Sequence, residues 1–349
     1  MDALSEALST VHMTGAIFFN AEFTAPWGFS TAATDQFAAV LAPGTEHIVI
    51  YHLLIEGRAL ARAAGVADMP LAGGDIVIVP HGDPHTVSNG SPRELIDSTS
   101  AFGKYLAGDL SMTRYGAGGE PTRFVCGYFG CERHACRLFL AGLPPLIKIN
   151  VRGDAAGEWL ESSIRYLVSE ANHKRPGGAV LLSKMAEALF VETLRRYMEQ
   201  LPPEQTGWLA AARDPVVGGA LALMHRKPQH PWTVATLAAE IGASRTVVAD
   251  RFVHYLGEPP MSYLARWRLQ RAARLLQTSR QTILKVASEV GYESEAAFNR
   301  AFKREFGLPP AQYRRKIAAW NGVGAAATAC TVRESDTAAK PLPRGRRVS

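Results

Sequence analysis

Apolar residues in the first 200 positions come in short runs, GAIFFNAEF, HIVIYHLLIEGRALA, DIVIVP and RFVCGYF, set apart by Gly and Pro. Runs of that length with turn residues between them predict short strands folded as a small β-barrel or jelly roll. From Ala155 to Leu201 the spacing becomes helical. GEWLESSIRYLVSEA and GGAVLLSKMAEALFVETLRRYMEQL both carry apolar stripes, so two amphipathic helices trail the strands. They either pack on the strands or form a seam with a second copy. PPEQTGWLAAARDP reads as a linker, and Asp214-Pro215 starts the helix PVVGGALALMHRK.

Beyond that point one pattern occurs twice. At an offset of 49, Thr233, Ala238, Glu240 and Gly242 coincide with Thr282, Ala287, Glu289 and Gly291. At an offset of 50, Ser244, Phe252, Gly257, Pro259, Pro260 and Tyr263 coincide with Ser294, Phe302, Gly307, Pro309, Pro310 and Tyr313. Each copy predicts two helices about a short turn. Thr233 and Thr282 cap the first helix, and Thr236 or Lys285 at its third position predicts that the full capping box is missing. Gly242 and Gly291 supply left-handed turn residues, and Ser244 and Ser294 begin the second helix. The unit is therefore a duplicated helix-turn-helix. Val248, Phe252 and Leu256 in the first copy, and Phe298, Ala301, Phe302 and Phe306 in the second, form inward stripes. Arg245, Thr246, Ala249 and Asp250, and Glu295, Ala296, Asn299, Arg300 and Lys303, lie on the outer faces. Between the copies SYLARWRLQRAARLLQTS predicts a long helix of roughly 25 Å at 1.5 Å per residue. With the width of the flanking units, that length lets the second helices reach groove segments about 34 Å apart on one duplex.

Charge sharpens this picture. Residues 1–213 carry 17 Lys and Arg against 22 Asp and Glu, residues 214–316 carry 16 against 8, and residues 317–349 carry 5 against 2. A basic segment behind an acidic one points to a polyanionic partner for the second half. A helix with small and hydrogen-bonding side chains on its outer face fits the major groove, where Arg reads guanine and Asn adenine. At 349 residues the chain predicts more than one domain. No apolar run approaches the ~18 residues of a membrane span. MDALSEALSTVHMTG lacks the pattern of a secretory signal, and four cysteines make no disulfide framework, so a reduced, cytoplasmic protein is expected. The tail from Ala325 onward is low in apolar content and predicts disorder, with Arg344, Arg346 and Arg347 adding nonspecific affinity for DNA.

The helix WRLQRAARLL, the run IxxVAxxVGYxSxxxFxRAFKxxFGxxPxxYR and the duplication itself resemble the DNA-binding domain of the AraC/XylS family of transcription regulators. The resemblance covers residues 214–316. It implies that Arg245, Thr246, Asp250, Glu295, Ala296, Asn299 and Arg300 face bases. Asp250 departs from the pattern, standing where many relatives carry a basic or amide residue. It accepts from cytosine but repels phosphate, so the first copy is expected to contribute less affinity. In the first half, Gly74, Pro80, Gly82, His85 and Asn89 match the spacing of the second cupin motif, and YHLLIEGRA resembles the end of the first. The first motif's metal-holding histidines and carboxylate are not at their spacing, although His47, His52 and Glu56 lie nearby. A metal site needs about three protein ligands, which His85 alone does not supply. His85 is instead expected to line the barrel, as part of a ligand pocket, or to be held in a hydrogen bond. Cys126, Cys131 and Cys136, with His134, leave three readings open: buried small apolar residues, a redox switch or a small metal site. In the redox reading Arg123, Arg133, His134 and Arg137 lower a thiol pKa.

The fold class expected is multidomain α+β. Residues 1–201 form a cupin-like sensor and dimerisation domain, 202–213 a linker, 214–316 a double helix-turn-helix with an all-α fold, and 317–349 a basic tail. The function expected is a sequence-specific DNA-binding transcription regulator, not an enzyme, that senses a small molecule or a redox signal without a resident cofactor or metal. Its expected partners are promoter DNA, a small-molecule effector, RNA polymerase if it activates, and a second copy of itself. The alternative is a metal-dependent cupin enzyme fused to a DNA-binding domain.

Overall fold

The computed structural model describes residues 2–8, 13–42, 45, 47–107, 109–116, 118–131, 140, 142–173 and 175–317. The chain divides into two compact units, residues 1–267 and 268–349.

The first unit is built on two facing sheets. The strands are β1 (Met13–Thr24), β2 (Trp27–Thr31), β3 (His47–Glu56), β4 (Arg58–Ala63), β5 (Met69–Ala72), β6 (Asp75–Val79), β7 (His85–Asn89), β8 (Ile96–Asp97), β9 (Thr113–Gly116), β10 (Pro121–Cys131) and β11 (Ile147–Asn150). One sheet runs β11-β6-β3-β10-β1-β9 and the other β5-β4-β7-β2-β8. The sheets stay open and face one another, so the expected barrel is a sandwich of the jelly-roll kind. Helix α1 (Ala3–Leu8) packs on later helices of this unit, the short helices α2 (Ala38–Leu41) and α3 (Phe102–Leu106) flank the strands, and α4 (Ala155–His173) and α5 (Gly178–Gln200) follow them.

The apolar run of β3 explains how these layers stack. Ile48, Ile50 and Leu54 point between the sheets with Phe23, Trp27, Phe29 and Phe124. Val49, Tyr51, Leu53 and Ile55 point the other way, against Leu160, Ile164 and Leu167 of α4 and Ala186, Leu189 and Phe190 of α5. A strand buried on both faces needs no alternation of polar and apolar residues. The trailing helices therefore pack on their own sheet. Their outer faces still carry Trp159 and Tyr166 on α4, and Val180 and Leu181 on α5, all exposed.

Five more elements complete the first unit: α6 (Trp208–Arg213), α7 (Pro215–Arg226), α8 (Val234–Glu240), α9 (Arg245–Leu256) and the start of α10 (Pro260–Thr278). Trp208, Leu209, Ala210 and Ala211 are buried. The segment 202–213, read from sequence as linker, thus ends in a helix held by its apolar side chains, and only residues 202–207 run free of helix or strand. The hydrophobic core that begins at Ala3 continues through α4 and α5 to Met224, Leu237, Phe252 and Trp267. The second unit holds the remainder of α10, then α11 (Ile283–Glu289) and α12 (Glu295–Phe306). Its own core contains Leu269, Leu276, Val286, Val290, Phe298, Phe302 and Tyr313. Among the described residues no helix is long and apolar enough to cross a membrane.

Candidate nucleic-acid interface

The two helix-turn-helix copies are set by the same local chemistry. Asp214 caps α7, its Oδ1 accepting from the backbone N–H of Val216 at 3.0 Å and Val217 at 2.9 Å. Thr233 caps α8 and Thr282 caps α11. The full capping box that the sequence does not predict is present at α8: the Thr236 hydroxyl accepts from the Thr233 N–H at 2.9 Å, and Thr233 Oγ1 accepts from the Thr236 N–H at 3.1 Å. A threonine hydroxyl does there what the longer Glu or Gln carbonyl does in the usual box. Gly242 and Gly291 turn the chain with φ of 68° and 86°. A side chain is disfavoured in that left-handed region, so these two glycines set the turn.

The second helices α9 and α12 have equal length and match position for position at an offset of 50. Each has a serine cap, Ser244 or Ser294, and ends on a left-handed glycine, Gly257 or Gly307. Val248 and Phe252 anchor α9, and Phe298 and Phe302 anchor α12, all fully buried. In α12 the Phe302 ring meets Phe298, Phe306 and Tyr313 at centroid distances of 5.5, 4.4 and 5.3 Å. With the inner stripe held, the outer face is fixed. Arg245, Thr246 and Asp250 on α9, and Glu295, Ala296, Arg300 and Lys303 on α12, are exposed; Ala249 and Asn299 are half-buried. Glu295, Asn299, Arg300 and Lys303 line one shallow cleft with Ile283, Pro309 and Ala311. Val247 and Val253 on α9 are exposed as well and were missed in the sequence. The signal was available: Val253 shares its repeat position with Lys303.

Two other basic side chains are engaged within the protein. Arg251 Nη1 lies 2.5 Å from Asp214 Oδ2. Arg266 pairs with Glu258 and sits over the Tyr263 ring. Beneath α9, the Tyr263 hydroxyl accepts from Trp208 Nε1 at 2.8 Å and donates to His225 Nε2 at 2.8 Å. His225 stacks on Trp267 at 3.8 Å, and burial pushes its pKa down to about 3. This neutral, apolar node ties α6, α7 and α10 together.

Inside the sandwich, His85 is buried. Its Nδ1–H donates to the Asp83 carbonyl at 2.9 Å, which leaves Nε2 to accept from His52 Nε2–H at 2.8 Å. Burial lowers the pKa of both histidines, and the neighbouring His85 lowers that of His52 further. The pair joins β3 of one sheet to β7 of the other. His47 meets the Pro80 carbonyl at 2.7 Å, and Glu56 pairs with Arg123. Among the described residues no three His, Cys, Asp or Glu side chains converge to hold a metal. Cys126 stands opposite His52 in the β10–β3 pairing and is buried. Burial pushes its thiol well above the usual range, against the lowering expected from nearby basic residues. The Cys131 side chain and Cys136, His134, Arg133 and Arg137 lie outside the described residues, as do Cys330, Arg344, Arg346 and Arg347.

Residues 2–199 match the family described as Cupin, and residues 237–316 match the one described as Helix-turn-helix domain. The HTH-type transcriptional regulator AlkR of Acinetobacter baylyi is 30% identical over 318 residues, covering 90% of this chain and 100% of that protein. This chain belongs to the AraC-like helix-turn-helix transcriptional regulators. A second member, the RCS-specific HTH-type transcriptional activator RclR of Escherichia coli, is 28% identical over 91% of the regulator described here and 98% of its own length. Among solved structures, the DNA-binding domain of AdpA in complex with a target DNA is 33% identical, covers 30% of this regulator and 95% of that chain, and has a TM-score of 0.29. The relatives named are regulators of transcription, and so is this protein.

Proposed function

We propose that this regulator binds promoter DNA through the outer faces of α9 and α12, and that its cupin-like half adjusts that binding. The supporting observation is the duplicated second helix, whose buried stripe holds a polar face out to solvent in both copies. Arg245, Thr246, Ala249 and Asp250, with Glu295, Ala296, Asn299, Arg300 and Lys303, are the proposed contacts. Such a protein works in the cytoplasm, on a duplex, and meets RNA polymerase where it activates.

Signal transmission has a physical carrier in the first unit. One hydrophobic core runs from the six-stranded sheet through α4 and α5 to the anchors of α9. A small molecule or redox signal that favours one packing of that core shifts the population in which α9 is set for DNA. The exposed Trp159 and Tyr166 of α4 and Val180 and Leu181 of α5 are the proposed seam for a second copy.

Competition between a selected duplex and random duplex tests this function. A specific regulator prefers its site by roughly 10³-fold or more. Arg300→Ala weakens the selected site by about 1–3 kcal/mol if Arg300 reads a guanine. Equal binding to both duplexes would overturn the proposal.

A further inference from the structure

The internal repeat allows the two reading faces to be compared position by position. At the offset of 50, Thr246 stands against Ala296, Ala249 against Asn299, Asp250 against Arg300 and Val253 against Lys303. These four positions follow the spacing i, i+3, i+4, i+7 and share one face of each helix. On α12 that face carries an amide, a guanidinium and an ammonium. On α9 it carries a hydroxyl with a methyl, a methyl, a carboxylate and an isopropyl group. Val253 is half-exposed, although the buried Val248 and Phe252 already anchor the helix. Arg251 does not change the balance, because its guanidinium lies on Asp214; Arg245 at the first position of α9 stands against Glu295 and leaves α9 one exposed cation beside these four positions.

The groove offers matching chemistry to each face. A thymine methyl is the one apolar group on a base edge in the major groove, and a cytosine amino group is a donor that a carboxylate accepts from. Guanine and adenine edges suit Arg and Asn, and Lys neutralises phosphate with release of counterions.

Building on the DNA-binding function proposed above, we infer that the two helices divide the operator by base chemistry: α9 reads thymine methyls through Val253, Thr246 and Ala249 beside a cytosine held by Asp250, and α12 reads purine edges through Asn299 and Arg300 with Lys303 on phosphate. Specificity at these four α9 positions then rests on apolar contact and shows little dependence on salt, while Arg245 supplies the positive charge of that half. The α12 half supplies more of the electrostatic affinity.

The test uses the full chain and a duplex selected from a random library. Each thymine of the selected site is replaced in turn by deoxyuridine, which removes only the methyl group. Loss of one buried methyl contact, at about 0.8 kcal/mol, corresponds to about fourfold weaker binding. The expected result is such a loss at one or more thymines in one half of the site, with the loss disappearing in Val253→Ala. Val253 is exposed, so this variant keeps its fold. Val253→Lys should bind random duplex more tightly, with a steeper dependence on salt and no response to deoxyuridine. Lys303→Ala should flatten the salt dependence, by a slope change of about 1. A selected site indifferent to every deoxyuridine, or equally sensitive in Val253→Ala, overturns the division while leaving the regulator's DNA binding intact. A library that yields no enriched sequence overturns the DNA-binding function itself.

Discussion

Phe302→Ala probes how the reading helix of the second unit is held. The Phe302 ring is fully buried and packs against Phe298, Phe306 and Tyr313. Removing a buried Phe ring costs about 3–5 kcal/mol, through lost burial and the cavity that remains. The second unit has little to set against that. Among the described residues its buried core is ten side chains, three of them alanines, drawn from α10, α11, α12, Val290 and Tyr313. A core of this size supplies about 3–5 kcal/mol in all. The loss therefore equals the unit's stability, and the helix-turn-helix of residues 283–306 should open at room temperature. The first unit, with a larger core of its own, should stay folded. Hydrogen exchange read by mass spectrometry on the full chain distinguishes the two. Peptides from residues 283–306 should lose protection in the variant, and peptides from residues 217–224 should keep it. Phe302→Leu, which retains much of the volume, should preserve both. Unchanged protection over residues 283–306 in Phe302→Ala would refute the idea that this aromatic cluster sets the reading face.

Two further perturbations address the first unit. His225 has its pKa lowered from 6.5 to about 3 by burial, so the folded state favours the neutral ring. Its contribution to stability is complete above pH 6.5 and is lost as the pH falls toward about 3, at about 1.4 kcal/mol per pH unit, or about 2 kcal/mol by pH 5. His225→Gln cannot titrate, so its melting temperature should fall less than the wild type's between pH 7.5 and pH 5; equal falls would assign the acid sensitivity elsewhere. Asp214→Ala removes the cap of α7 and the partner of Arg251. The cap accounts for about 1 kcal/mol. The pair, with Arg251 about half-exposed, adds less than about 1 kcal/mol. Denaturant titration should place Asp214→Asn, which keeps an accepting oxygen at the cap, closer to wild type than Asp214→Ala.

The sequence by itself determined the duplicated helix-turn-helix. Its signals, the serine caps, the left-handed glycines and the phenylalanine stripe, act within a few residues of one another. The run HIVIYHLLIE likewise announced a strand, and the tails of apolar helical spacing announced α4 and α5. Only tertiary structure decided that the strand was buried on both faces, because no residue within it names the layers above and below. It brought His52 to His85, 33 positions away in the other sheet, and gave both an environment that holds them neutral. It buried Cys126 among apolar neighbours, where desolvation outweighs the basic residues nearby in sequence. It turned the end of an apparent linker into α6, because Trp208 found a hydrogen-bond partner in Tyr263, 55 residues on. Local capping and turn preferences are written in adjacent residues. Burial and its effect on charge depend on contacts that the chain makes only after it has folded.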